Sequence, residues 1–368
     1  MTAQKPNYWE YVRVEELLSL QSGLEASEEG LTNDEVLFIT VHQVYELWFK
    51  LVRRELGTLR DLFKREVVAE QALSDAVRAI RRVTTLMRQC ASHFEVMETL
   101  STREYLGFRD KLMPASGFQS GQLRQIEILM GLLDEDRIPL GLGEDYVEAL
   151  RAHDGAASSA MRRVLAQKED RPTLAEAVEE WLYRTPIEGV GPDHADADSV
   201  LDRFVESYVT AQHGEIERSA ELARSRARGD DEVATLNARY EAEKQAIIEF
   251  LNPDGSQAGR RRKRIRAAML FIVSYRELPL LAWPREVLDG LIELEQGFVI
   301  FRQRHARMVE RVIGRRTGTG GSTGVDYLDG TARSYRVFRD LWAVRTYQIR
   351  KAAHPELQRS EFYDFRNG

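Results

Sequence analysis

The chain has 368 residues, 52 of them basic and 59 acidic, for a net charge of −7, and its apolar fraction of 43% is ordinary for a soluble globular protein. The acidic balance argues against nucleic acid as a general partner, and a single cysteine, Cys90, excludes an internal disulfide or a thiolate cluster for zinc or iron–sulfur. The opening stretch lacks the apolar core of a signal peptide, and the run Ala267 to Val273 falls far short of the ~20 residues a membrane span needs, so a cytoplasmic protein without a membrane partner is expected.

Tyr8-Trp9-Glu10-Tyr11 followed by Val14 to Leu18 predicts a short amphipathic helix headed by aromatics, which either anchor the terminus or reach into a neighbouring subunit. A long helix opens at Asn33-Asp34-Glu35, with Asn33 or Asp34 as its cap. Its apolar face runs through Phe38, Val41, Tyr45, Trp48, Phe49, Val52 and Leu56, and His42 falls inside that face. A second helix, about Glu70 to Thr99, repeats Leu73, Val77, Ile80, Val83, Leu86 and Met87 as bundle core. The stretch 101–120 is rich in turn residues yet laced with Tyr105, Phe108 and Phe118. Arg109 among them is either a solvated cation stacked on a ring or a guanidinium clamp for a carboxylate.

Residues 122–185 read as helical, interrupted at Pro139, and 189–198 as a surface loop. Residues 199–250 are charged and periodic, a projecting helical pair, and 165–265 as a whole reads as a helical insertion in one domain spanning 1–368. The basic run Arg260 to Arg266 continues into Ala267 to Val273, so it is read as a solvated or salt-bridged helix start, not a nucleic-acid site. Pro279 and Pro284 punctuate the chain before a central helix whose seam is Leu291, Leu294, Phe298, Phe301, Met308 and Val312, with His305 on the same face. A histidine in such a seam is either a core residue bonded to a backbone carbonyl or an axial ligand, because haem iron takes a neutral imidazole in an apolar slot. A second seam imidazole, His42, strengthens the haem or metal reading.

The helix empties into the loop 315–324. Its Gly320-Gly321-Ser322-Thr323-Gly324 matches the turn of a hydrolase serine, but that turn requires a preceding strand, and Thr323 breaks the dinucleotide fingerprint. What remains is a hydroxyl-rich loop able to close over a ligand. One more helix is predicted over 335–347, and the last dozen residues as a tail. Strand patterns are nearly absent, which makes the fold class all-α, a helical bundle.

Several motifs in order resemble the tryptophan 2,3-dioxygenase family. They are Tyr8-Trp9-Glu10-Tyr11, Asp34 to Ile39 leading to His42-Gln43 and Glu46-Leu47-Trp48, Glu104 to Arg109 with Ser116 to Ser120, Arg304-His305, and Gly318 to Gly324. The resemblance implies haem b as cofactor, L-tryptophan and O2 as substrates, N-formylkynurenine as product and a homotetramer. It implies His305 as proximal iron ligand and His42 as the residue that meets the indole nitrogen. Arg109 would clamp the substrate carboxylate and Thr319 its amino-acid end. Phe38, Tyr105 and Leu112 would wall the indole slot, Tyr8 and Tyr11 would arrive from a neighbouring subunit, and Ser116, Phe94 and Gly318 would lie at the haem. Phe94 and Phe301-Arg302-Gln303-Arg304 depart from the family's usual tryptophan- and tyrosine-bearing residues. Those departures leave room for a substituted tryptophan and for a haem monooxygenase; a haem-binding protein without turnover is a separate alternative, which would have no need of Arg109 and Thr319.

Overall fold

The computed structural model describes residues 7–112, 117–139, 145–152, 154–318 and 324–364. Among them fourteen α-helices follow one another: α1 (Tyr8–Val12), α2 (Val14–Leu18), α3 (Asn33–Phe63), α4 (Glu70–Met97), α5 (Thr102–Phe108), α6 (Gly121–Met130), α7 (Ser159–Glu169), α8 (Leu174–Arg184), α9 (Ala197–Arg224), α10 (Asp230–Leu251), α11 (Gln257–Ser274), α12 (Ala282–Ile313), α13 (Val325–Ser334) and α14 (Arg339–Thr346). No strand forms among the described residues beyond two isolated bridges. The all-α class expected from the missing alternation pattern is therefore what folds.

Contacts divide the chain into two units. One comprises Met1–Arg54, Val83–Asp170 and Gly297–Tyr335, and the other Glu55–Arg82, Arg171–Gln296 and Arg336–Gly368. In the first, the periodic faces read from the sequence are buried: Val41, Tyr45 and Phe49 on α3, Met87 on α4, and Phe298, Phe301, Met308 and Val312 on α12. Helix α6 lies tightly on α7, where a Cβ on Gly121 would stand 3.0 Å from the Cβ of Ala160. It also carries a buried charge cluster. Glu127 accepts from Arg124 at 2.9 Å, Arg137 at 2.7 Å and, from α12, Arg302 at 3.2 Å. Burial alone would raise the Glu127 pKa, but the three guanidinium groups outweigh it and hold it at about 2.

In the second unit the basic run of α11 is consumed by partners. Lys263 pairs with Asp202 and Arg266 with Asp340, while Arg264 donates to the carbonyls of Tyr183 and Val190. That is the salt-bridged helix start the sequence suggested. Pro284 lies inside the first turn of α12, where the missing N–H costs nothing, so α12 starts earlier than the seam alone indicated.

Four boundaries differ from expectation. The side chain of Thr32, not Asn33 or Asp34, accepts the N–H of Glu35 and caps α3. The predicted N-terminal helix breaks into α1 and α2 at Arg13, which adopts a left-handed conformation (φ 57°). The helix expected from Tyr335 begins only at Arg339, because the backbone N–H groups of Val337 and Phe338 are taken by the buried carboxylate of Glu295. The expected tail is anchored instead: Tyr363 is buried, donates to the Pro186 carbonyl at 2.9 Å and accepts from the N–H of Gly189.

Replacing Glu127 with Gln leaves buried Arg124 and Arg302 without a counter-charge and Arg137 with Asp134 alone, and should cost about 3–5 kcal/mol in denaturant unfolding. The sign with pH follows from the depressed value: the wild type keeps this contribution above about 4.5 and loses it as pH falls towards about 2. The variant's stability should therefore fall less steeply over that window.

Candidate active site

All residues of the site belong to the first unit. His42 sits one turn along α3 from Phe38, and its Nδ1 lies 2.7 Å from the Phe38 carbonyl oxygen. An oxygen can only accept, so Nδ1 carries the proton and Nε2 is left as an acceptor as long as the ring is neutral. Burial lowers the His42 pKa, against smaller opposing effects of the Phe38 carbonyl and the Glu46 charge, so the ring is neutral near pH 7.

His305 on α12 faces the same cavity, about 530 Å³, within the range of small-molecule sites. Burial, with a smaller contribution from His42, drives its pKa to about 4. One face of the ring is covered by Phe94, stacked at 5.2 Å with only 4° between the planes. That stacking packs the ring through its π-face, and among the described residues no hydrogen bond reaches His305.

The cavity is walled on one side by Phe38, Tyr105 and Leu112 and includes Gly318 at the start of the glycine loop. The sequence had singled out all four. Arg109 stands beside this wall. Its Nη2 donates to the Thr317 carbonyl at 2.6 Å, which ties the end of α5 to the loop, and its Nε is buried with no acceptor among the described residues. The neighbouring Tyr105 phenol is pushed up by burial, opposed by the charge of Arg109 and a hydrogen bond to it.

Two expected residues, Ser116 and Thr319, lie outside the described residues. Tyr8 and Tyr11 are 69% and 80% exposed on α1, and within the chain they do not line the cavity. Sequence reasoning missed Tyr45, Met97, Met308 and Leu123 as lining residues, since each scores simply as core. It also missed Glu46 as a connector. Glu46 accepts from the Ser120 hydroxyl at 2.6 Å and the Gln122 amide at 2.8 Å, which joins α3 near His42 to the start of α6. Further along α6, Glu127 holds Arg302, three residues before His305. The two imidazole-bearing helices are thus both fastened to α6.

These donors suit a haem. The cavity lining is largely apolar, one imidazole stays neutral at its wall with nitrogens free to ligate, and the second has an acceptor nitrogen aimed at whatever shares the space. No cluster of three or more His, Cys, Asp or Glu side chains suited to a bare metal ion occurs among the described residues. The hydrolase alternative fails, because a helix and not a strand precedes the glycine loop.

Known proteins are similar to this chain along nearly its whole length. The family model described as tryptophan 2,3-dioxygenase matches residues 2–348. A tryptophan 2,3-dioxygenase of Sorangium cellulosum is 54% identical over 98% of this chain and 87% of its own length. Tryptophan 2,3-dioxygenase 2 of Ralstonia nicotianae is 48% identical over 98% and 97%, and tryptophan 2,3-dioxygenase B of Danio rerio is 31% identical over 95% and 84%. With both histidines in place and identity sustained along nearly the whole length, the chain belongs to the tryptophan 2,3-dioxygenase family.

Proposed function

We propose that the protein is a haem-dependent dioxygenase that opens the C2–C3 bond of the indole of L-tryptophan with O2 and releases N-formylkynurenine. The observation that carries this is the pair of neutral imidazoles on α3 and α12 lining one apolar cavity, with His42 Nε2 left as an acceptor. Haem held through its iron by His305 would supply the one thing no side chain here supplies, activation of O2. Both oxygen atoms end in the product, so turnover consumes no external reductant.

The chain's own residues bind and orient. The indole N–H donates to His42 Nε2, which accepts it without carrying charge into an apolar site. Phe38, Tyr105 and Leu112 hold the ring flat against the cavity wall and exclude water. Arg109, beside the wall of the cavity, takes the substrate carboxylate through its guanidinium, while Thr319 meets the amino-acid end. Phe94, by stacking on His305, and Gly318 would help to hold the haem, and Ser116 would share that role. Tyr8 and Tyr11, whose exposed rings have no place in their own chain's cavity, reach the site of a neighbouring subunit in a homotetramer. No helix among the described residues is long and apolar enough to cross a membrane, which accords with a cytoplasmic location for an enzyme of tryptophan catabolism.

His305→Ala should purify without stable haem. A variant that keeps the full haem complement and an unchanged axial spectrum would remove His305 as the ligand. Arg109→Ala should lower kcat/KM for L-tryptophan about 10- to 100-fold, the size of a charge-assisted contact, and leave the slow reaction of tryptamine, which lacks the carboxylate, unchanged. Equal losses on both substrates would mean that Arg109 only supports the loop. The reaction itself is checked by reducing the protein anaerobically, adding L-tryptophan and O2, and identifying N-formylkynurenine by mass spectrometry.

A further inference from the structure

Arg109 and Leu112 stand in a turn of 3-10 helix, Arg109–Leu112, that follows α5, and this turn has no buried residue. Apolar packing holds α5 itself, whose Tyr105 and Phe108 rings lie 6.1 and 5.6 Å from the ring of Phe38 on α3. Beyond Phe108 that anchoring ends. A turn of four residues is too short to keep its own place, so it depends on side-chain ties to the rest of the unit.

Arg109 makes one such tie, to the Thr317 carbonyl. Lys111 makes another, and its Nζ spans both carboxylate oxygens of Glu35, at 3.0 and 3.3 Å. Glu35 is only 6% exposed, in the first turn of α3 and one turn before Phe38. A carboxylate taken this far out of water is costly to leave without its counter-charge, so Lys111 is strongly retained. Lys111 itself is half-exposed, and its contact at 4.0 Å with exposed Glu25 adds little. The turn is therefore fastened, through the buried end of the pair, to the helix that carries Phe38 and His42. Neither Lys111 nor Glu35 lines the cavity.

We propose that Lys111 and Glu35 are positioning residues: their ion pair holds the 109–112 turn against α3 and so sets Arg109 where it meets the substrate carboxylate. They act through Arg109 and do not touch the substrate. The inference rests on the role proposed for Arg109.

Steady-state kinetics of the haem-loaded enzyme with L-tryptophan and with tryptamine, which has no carboxylate, tests it. Lys111→Met and Glu35→Gln should each raise KM for L-tryptophan about tenfold with kcat little changed, and should affect tryptamine much less. Lys111→Arg keeps the charge and should restore most of the preference for L-tryptophan. In an Arg109→Ala background, adding Lys111→Met should cost nothing further, because the same contact is lost only once. Equal losses on both substrates, additive losses in the double variant, or loss of haem with an early thermal melt in both single variants would show that the pair serves the fold at large, and would overturn the proposal. A wild type without preference for L-tryptophan over tryptamine would remove Arg109 as the carboxylate clamp and this proposal with it. A wild type that discriminates, beside variants that discriminate equally well, would sink this proposal alone.

Discussion

The 2.7 Å hydrogen bond between His42 Nδ1 and the carbonyl of Phe38 decides what the rest of this ring can do. It spends the ring's proton within one turn of α3 and turns Nε2 into an acceptor facing the cavity. Across the same space, burial keeps His305 uncharged at any pH well above about 4. A protonated imidazole at either position would place an unpaired charge in an apolar slot, so the apolar lining and the tautomer support each other. The arrangement is one the fold can keep only if α3 and α12 do not drift apart.

Helix α6 provides that restraint. Near its start Ser120 and Gln122 hold Glu46 of α3, and at its middle Glu127 holds Arg302 of α12. The second connection is a buried carboxylate among three arginines, an arrangement that tolerates no loss of its acid. Each imidazole therefore sits within four residues of a side chain anchored on the same helix: His42 before Glu46, His305 after Arg302. The stacking of Phe94 on His305 adds a contact that orients the ring without consuming either nitrogen.

Much of this was legible from the sequence, because long amphipathic helices announce their buried faces. The seam of α12, the face of α3 and both histidines follow from spacing alone, and Phe38, Tyr105, Leu112 and Gly318 came from the family resemblance. What escaped depends on partners remote in sequence. Nothing near Tyr335 indicates that Glu295 will take the N–H groups of Val337 and Phe338 and delay α14. Tyr363 in a polar terminal stretch gives no sign that Pro186 and Gly189 await it. The acceptor roles of Glu46 and Glu127 are equally invisible, since a glutamate on a helix reads as solvated until its neighbours are known.

The most direct test is electron density from crystals of the reduced, haem-loaded protein grown with L-tryptophan in the absence of oxygen. The account predicts iron ligated by a ring nitrogen of His305, the indole N–H within hydrogen-bonding distance of His42 Nε2, and the substrate carboxylate against Arg109. Iron ligated by His42 or by any other side chain, or an indole whose nitrogen points away from His42, would contradict it.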